Sequence, residues 1–163
     1  MAKNKEEKTN VMRVLEQKKI AYTAHTYPHE EGMAVDGVTV AKSMGFDPAI
    51  VFKTLVARGA SKQYYVFDVP VAENLDLKKA AKAVGEKSIE MIHQKELLPL
   101  TGYVHGGCSP LGVKKLFPTV IDASAENLET MIVSAGKIGY QVELAPHDLA
   151  ALVRAKFADI IVE

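Results

Sequence analysis

The apolar residues of this chain change their spacing every few positions, and no apolar run approaches the roughly 20 residues that a bilayer helix needs. Short stretches alternate between the two-residue period of strands and the 3.6-residue period of helices. Residues 5–19 predict a helix, with Val11, Val14 and Leu15 on one short apolar stripe that Lys18 ends. Residues 21–26 read as extended, closed by Tyr27-Pro28. Residues 38–44 predict a short helix ended by Gly45, and Asp47-Pro48 has the character of an N-cap and first helical turn. Residues 51–57 and 64–69 are rich in β-formers, and the turn at 59–62 joins them as a hairpin. Residues 77–84 predict a lysine-rich helix ending at Gly85, residues 88–92 a strand, and residues 93–98 a helix stopped by Pro99. Residues 119–122, 131–134 and 140–144 read as three more strands. Pro146-His147-Asp148 opens a last helix through Arg154, and residues 160–162 add a terminal apolar segment. Without a regular βαβ rhythm, this order predicts an α/β (mixed α+β) fold.

At 163 residues, 48% of them hydrophobic, the chain is sized for one domain over residues 1–163 with a single core. Lys+Arg 20 balance Asp+Glu 20, which argues against broad nonspecific nucleic-acid binding and leaves room for a local basic patch. The charged start at residues 1–8 is followed by no apolar stretch, so no secretory signal is expected. The single cysteine, Cys108, excludes an internal disulfide and a cysteine-rich zinc site. These features predict a soluble cytoplasmic protein with no membrane partner and no cofactor.

Two local patterns resemble sites and fall short of them. His25 and His29 have the spacing of two metal ligands on a helix, but Pro28 and the β-like flank oppose a helix there, and no third ligand is evident. Cys108 and His105 share a turn, but lack a third group to orient them. Two other features carry more. Residues 102–112 hold Gly102, Gly106, Gly107, Gly112 and Pro110 around Cys108, an irregular path whose backbone N–H groups could cradle a ligand or simply make a structural loop. Lys53 lies in the apolar run Ile50-Val51-Phe52-Lys53-Thr54-Leu55-Val56, on the face of Val51 and Leu55. An amine there needs a partner or a job, unless it snorkels at a sheet edge.

Taken in order, Phe52-Lys53-Thr54-Leu55, Val69-Pro70-Val71-Ala72, Leu75-Asp76-Leu77-Lys78-Lys79, Gly102-Tyr103 and Gly106-Gly107-Cys108-Ser109-Pro110-Leu111-Gly112 resemble the YbaK/EbsC family. These proteins are free-standing relatives of the prolyl-tRNA synthetase editing domain. His25-Thr26-Tyr27, Ile121-Asp122, Ser134-Ala135-Gly136-Lys137, Val142-Glu143-Leu144 and Asp148-Leu149 extend the resemblance over nearly the whole chain.

The resemblance implies a single domain with a mixed, mostly antiparallel sheet or partial barrel surrounded by helices. It implies a hydrolase that removes cysteine mischarged onto proline tRNA, with aminoacyl-tRNA as substrate and prolyl-tRNA synthetase as a transient partner. By matching motif, Lys53 is the catalytic residue, and Tyr27, Thr54, Gly106, Gly107, Ser134 and Asp148 bind substrate, with no metal. Asp36 and Ala135 depart from the family pattern. The family chemistry is attack by the substrate's own thiol on its carbonyl, an intramolecular step favoured by effective concentration. Lys78, Lys79, Lys82 and Lys87, and Lys114 with Lys115, are candidate phosphate contacts. Alternatives are a deacylase for Ala-tRNA(Pro) or another mischarged tRNA, and a non-catalytic tRNA- or synthetase-binding module.

Overall fold

The computed structural model describes residues 8–28 and 36–163. Helix α1 (Asn10–Gln17) starts where the Thr9 side chain accepts the Met12 N–H, and it buries Val11, Met12 and Leu15. Strand β1 (Thr23–Thr26) follows. Asp36 caps α2 (Gly37–Ser43), and Asp47 caps a single 3-10 turn at Pro48–Ile50. The expected hairpin is β2 (Phe52–Gly59) with β3 (Tyr64–Pro70). Asp76 caps α3 (Leu77–Val84), which ends on Gly85 in the left-handed region. Then come β4 (Ile89–Met91), α4 (Gln94–Thr101), β5 (Thr119–Asp122), β6 (Met131–Ser134), β7 (Tyr140–Leu144), α5 (Pro146–Val153) and β8 (Lys156–Ala158).

The strands form two sheets. Five pair in the order β4-β2-β3-β5-β8, antiparallel on the β4 side and parallel from β3 to β8. Three pair antiparallel in the order β1-β7-β6. A parallel bridge between Val51 and Ile132 ties the start of β2 to β6, so the sheets meet where Lys53 leaves that junction. The expected mixed α/β class holds, with two sheets in place of one. Among the described residues no helix is long and apolar enough to cross a membrane.

Both faces of the larger sheet are covered, which is why β2 and β3 read as nearly continuous apolar runs. On one face Phe52, Val56, Val66 and Ile121 join the main core with α1 and α5. On the other, Ala57, Phe67 and Val69 pack with Ala80 and Ala81 of α3. A third, small cluster of Ala41, Val51 and Ile132 lies under α2.

One expectation is corrected, and one strand is added. Pro99 lies inside α4 rather than ending it. The proline removes one N–H, but Thr101 Oγ1 donates to the Leu97 carbonyl at 2.7 Å and the Gly102 N–H to Leu98 at 2.8 Å, so the last turn closes without it. The last strand is β8, ahead of the terminal apolar segment. That segment contributes a bridge from Ile161 to Leu75, and the Ile160 N–H donates to buried Asp122 Oδ1 at 3.1 Å.

Candidate functional site

A pocket of about 530 Å³ opens where β2, the β6–β7 hairpin, the start of α2 and the glycine-rich loop converge. Strand alternation places Lys53 on the face of Val51 and Leu55. Val51 belongs to the small cluster under α2, and Leu55 packs on the α3 cluster, so Lys53 stands in the gap between two apolar bodies. Its ammonium is partly buried, and no carboxylate among the described residues closes on it as an ion pair. Burial pushes its pKa down, and the charges of Asp36 and Glu73 push it back up.

Thr54 points the other way, into the main-core face. There its hydroxyl donates to Asp68 Oδ1 at 2.6 Å across the β2–β3 pair. Asp68 is completely buried, and that burial raises its carboxyl to about 7. Asp36, expected here as a departure from the family pattern, lines the pocket mouth. Its carboxylate accepts the Thr39 N–H at 3.1 Å as the α2 cap.

The glycine-rich loop is organised around Tyr103. The phenol passes between Gly112 and Gly136, both in the left-handed region, where a Cβ would lie 2.7 Å and 2.9 Å from the ring or its oxygen. Its hydroxyl donates to the Leu111 carbonyl at 2.5 Å. Much of the glycine content therefore serves packing. His105, Gly106 and Cys108 reach the pocket. Cys108 is 7% exposed, and burial together with the nearby Asp68 pushes its thiol up to about 12, so it stays protonated at neutral pH.

Of the sequence-predicted residues, Lys53, Tyr27, Thr54, Gly106 and Ser134 line this one pocket. Two others do not. The Gly107 N–H donates to the Val104 carbonyl at 3.0 Å and its Cα packs on the Lys137–Ile138 backbone, so that amide is already used. Asp148 sits exposed in the first turn of α5, where its charge suits the helix N-terminus rather than the pocket. His25 pairs with Glu143 at 2.8 Å and stacks edge-on against Phe46; His29 lies outside the described residues. No group of three His, Cys, Asp or Glu side chains among the described residues could hold a metal ion.

The lysine clusters divide. Lys79 is committed to Asp159, Glu163 and the Ile161 carbonyl, tying α3 to the C-terminal segment, whereas Lys78, Lys82 and Lys87 are exposed. Lys114 Nζ reaches the Pro99 carbonyl at 3.4 Å, and Lys115 lies over the Phe117 ring.

Sequence reasoning missed Gln141. It pairs with Ser134 across β6–β7, lines the pocket, is 7% exposed, and its Oε1 accepts no hydrogen bond among the described residues. The signal was the hairpin turn at Gly136–Gly139, whose length sets Gln141 opposite Ser134.

The aminoacyl-tRNA editing domain family model matches residues 29–152. The chain is 45% identical over 161 residues to an Enterococcus faecalis (strain ATCC 700802 / V583) protein named "Putative Cys-tRNA(Pro)/Cys-tRNA(Cys) deacylase EbsC", covering 98% of each. A crystal structure of "a putative trans-editing enzyme for prolyl tRNA synthetase" superposes with a TM-score of 0.78 at 24% identity, covering 94% of this chain and 95% of that one. The crystal structure of a hypothetical protein superposes with a TM-score of 0.82 at 18% identity, covering 93% of this chain and 99% of that one. At these identities the structural likeness is one of fold.

Proposed function

Because the chain belongs to the aminoacyl-tRNA editing domain family, we propose that it is a trans-editing deacylase that hydrolyses Cys-tRNA(Pro). The observation that carries this reading is the Lys53 ammonium, held in a pocket of small-ligand size with no carboxylate in ion-pair contact among the described residues. A partly buried cation beside polar groups is suited to an oxyanion, here the ester carbonyl oxygen as it gains charge, or the terminal phosphate.

The nucleophile comes from the substrate. Cys108 is the chain's one thiol, and burial keeps it protonated, so it is a poor candidate. The cysteinyl thiolate attacks its own carbonyl carbon, the bond to the ribose oxygen breaks, and that oxygen takes up a proton. The product is a cyclic thiolactone, which water then opens to free cysteine. The protein has to fold the substrate into a near-attack shape and stabilise charge. Tyr27, Thr54, Ser134, Gln141 and Gly106 line the pocket, and they are the proposed contacts to the acyl group and ribose. Exposed Lys78, Lys82, Lys114 and Lys115 are the proposed phosphate contacts, and prolyl-tRNA synthetase the transient partner.

The test is deacylation of Cys-, Ser- and Ala-tRNA(Pro). A thiol near pKa 8.5 is appreciably ionised at neutral pH and a hydroxyl is not, so serine removes the rate and leaves binding nearly intact. Equal cleavage of all three replaces this reading with a water-positioning deacylase of broader range. Tight tRNA binding without cleavage of any would mark a binding module.

A further inference from the structure

We propose that Asp68 is a positioning residue of this pocket: it holds the Thr54 hydroxyl proton, so that the Thr54 oxygen meets the substrate as an acceptor and selects the α-amine of the aminoacyl group. The inference rests on the deacylase reading above and deepens it.

Thr54 and Asp68 face each other across β2 and β3 on the side of the sheet that builds the main core. Their neighbours on that face, Phe52, Val56, Val66 and Ile121, are apolar and buried. Asp68 has no exposed surface; Oδ1 accepts the Thr54 hydroxyl at 2.6 Å, and Oδ2 has no partner among the described residues. A buried carboxyl with an unmatched oxygen costs stability, and an apolar cross-strand pair would pack that face better. Among the described residues Asp68 caps no element and makes no ion pair, unlike Asp122, whose two oxygens take the Ser124 and Ile160 amides. What Asp68 does accomplish is local. A hydroxyl has one proton. Thr54 lines the pocket, and with that proton turned inward its oxygen has lone pairs left to offer and no donor. The amine lies two bonds from the carbonyl carbon, so its acceptor must stand close to the cation that meets the carbonyl oxygen. Thr54 and Lys53 lie on opposite faces of β2, and this pocket is lined from both faces, by Phe52 and Thr54 as well as by Lys53 and Leu55.

The experiment compares wild type, Asp68→Val, Asp68→Asn, Thr54→Val and the double variant on two substrates. One is Cys-tRNA(Pro). The other is 3-mercaptopropionyl-tRNA(Pro), which keeps the thiol and ester and lacks the amine. On Cys-tRNA(Pro), Asp68→Val raises KM about tenfold with kcat little changed, as loss of a contact made equally in ground and transition states requires. Asp68→Asn keeps an acceptor for Thr54 and restores kcat/KM to within about threefold of wild type. The double variant matches Thr54→Val alone, and on the substrate without the amine the tenfold difference between Asp68→Val and wild type falls below about twofold. Asp68→Val melts at or above the wild-type temperature, an outcome that a purely structural role would reverse. If Asp68→Val fails to fold, Asp68→Ala, which also removes the acceptor, carries the same comparison. Equal losses on both substrates, or an Asp68 effect that persists without the Thr54 hydroxyl, overturn the proposal. A wild type inert towards every mischarged tRNA(Pro) overturns the deacylase reading itself, and shows this before any variant is made.

Discussion

Gly107 packs against Ile138 so closely that a Cβ on Gly107 would lie 3.1 Å from the Ile138 backbone nitrogen and 3.3 Å from the Lys137 carbonyl carbon. The glycine-rich loop is thereby seated on the β6–β7 turn, and the pocket wall formed by Gly106 and Cys108 depends on that contact. Backbone atoms yield less than side-chain tips. Gly107→Val is therefore expected to destabilise the protein by about 1–3 kcal/mol, as overpacking of a close contact does. Urea denaturation measures the loss; an unchanged midpoint would mean that the loop shifts freely.

Lys53→Ala is expected to lower kcat/KM for Cys-tRNA(Pro) by at least about a hundredfold, the scale of losing a main oxyanion donor. The fold should survive, because the amine stands in a gap between apolar clusters and closes no ion pair among the described residues. Circular dichroism and thermal melting establish folding before the rates are compared. Near wild-type turnover by the folded variant would remove Lys53 from the mechanism.

Cys108→Ser is expected to keep kcat/KM within about threefold of wild type, since a thiol held near 12 contributes little thiolate at neutral pH. Alkylating reagents should label native Cys108 slowly for the same reason. A folded Cys108→Ser protein without activity would transfer the nucleophile from substrate to enzyme.

The raised carboxyl of Asp68 makes stability depend on pH. Below about pH 3.9, the ordinary aspartate value, folded and unfolded chains both hold the proton, and no penalty exists. Between there and about 7 the unfolded chain ionises while folded Asp68 stays protonated, so this group's contribution falls as pH rises, then levels off. Asp68→Asn should match wild type near pH 4 and exceed its stability by roughly 1–3 kcal/mol at pH 8. Glu143 acts in the opposite sense. Its bonds from Thr130 and His25 hold its carboxyl low, so its contribution is present above the ordinary glutamate range and lost as pH falls through the lowered value. Denaturation of the Asp68→Asn and wild-type proteins from pH 4 to pH 8 separates the two, because Glu143 is common to both. Parallel curves over that range would show that Asp68 ionises normally.

What the sequence alone determined was local. Asp76 and Gly85 bracket α3, the turn at 59–62 joins β2 to β3, and the strands at 119–122, 131–134 and 140–144 lie where their β-formers cluster. Caps, turns and alternation act over a few residues, so they are written where they operate. Ordered motifs along the chain likewise pointed to Lys53, Tyr27, Thr54, Gly106 and Ser134 as one site. Tertiary structure decided the matters that depend on pairing between distant segments. Strand β8 is a short, partly exposed segment that exists because β5 offers it an edge. Helix α4 runs past Pro99 because other donors close its last turn. Asp148 looked like a site residue and sits on an exposed helix turn, whereas Gln141 lines the pocket through its register opposite Ser134. Asp68 belongs to the same class: in sequence it is a charge inside an apolar strand, and its place opposite Thr54 follows from the hairpin register. Buried polar groups take their meaning from the partner across the sheet, and that partner is chosen by long-range packing rather than by neighbours in the chain.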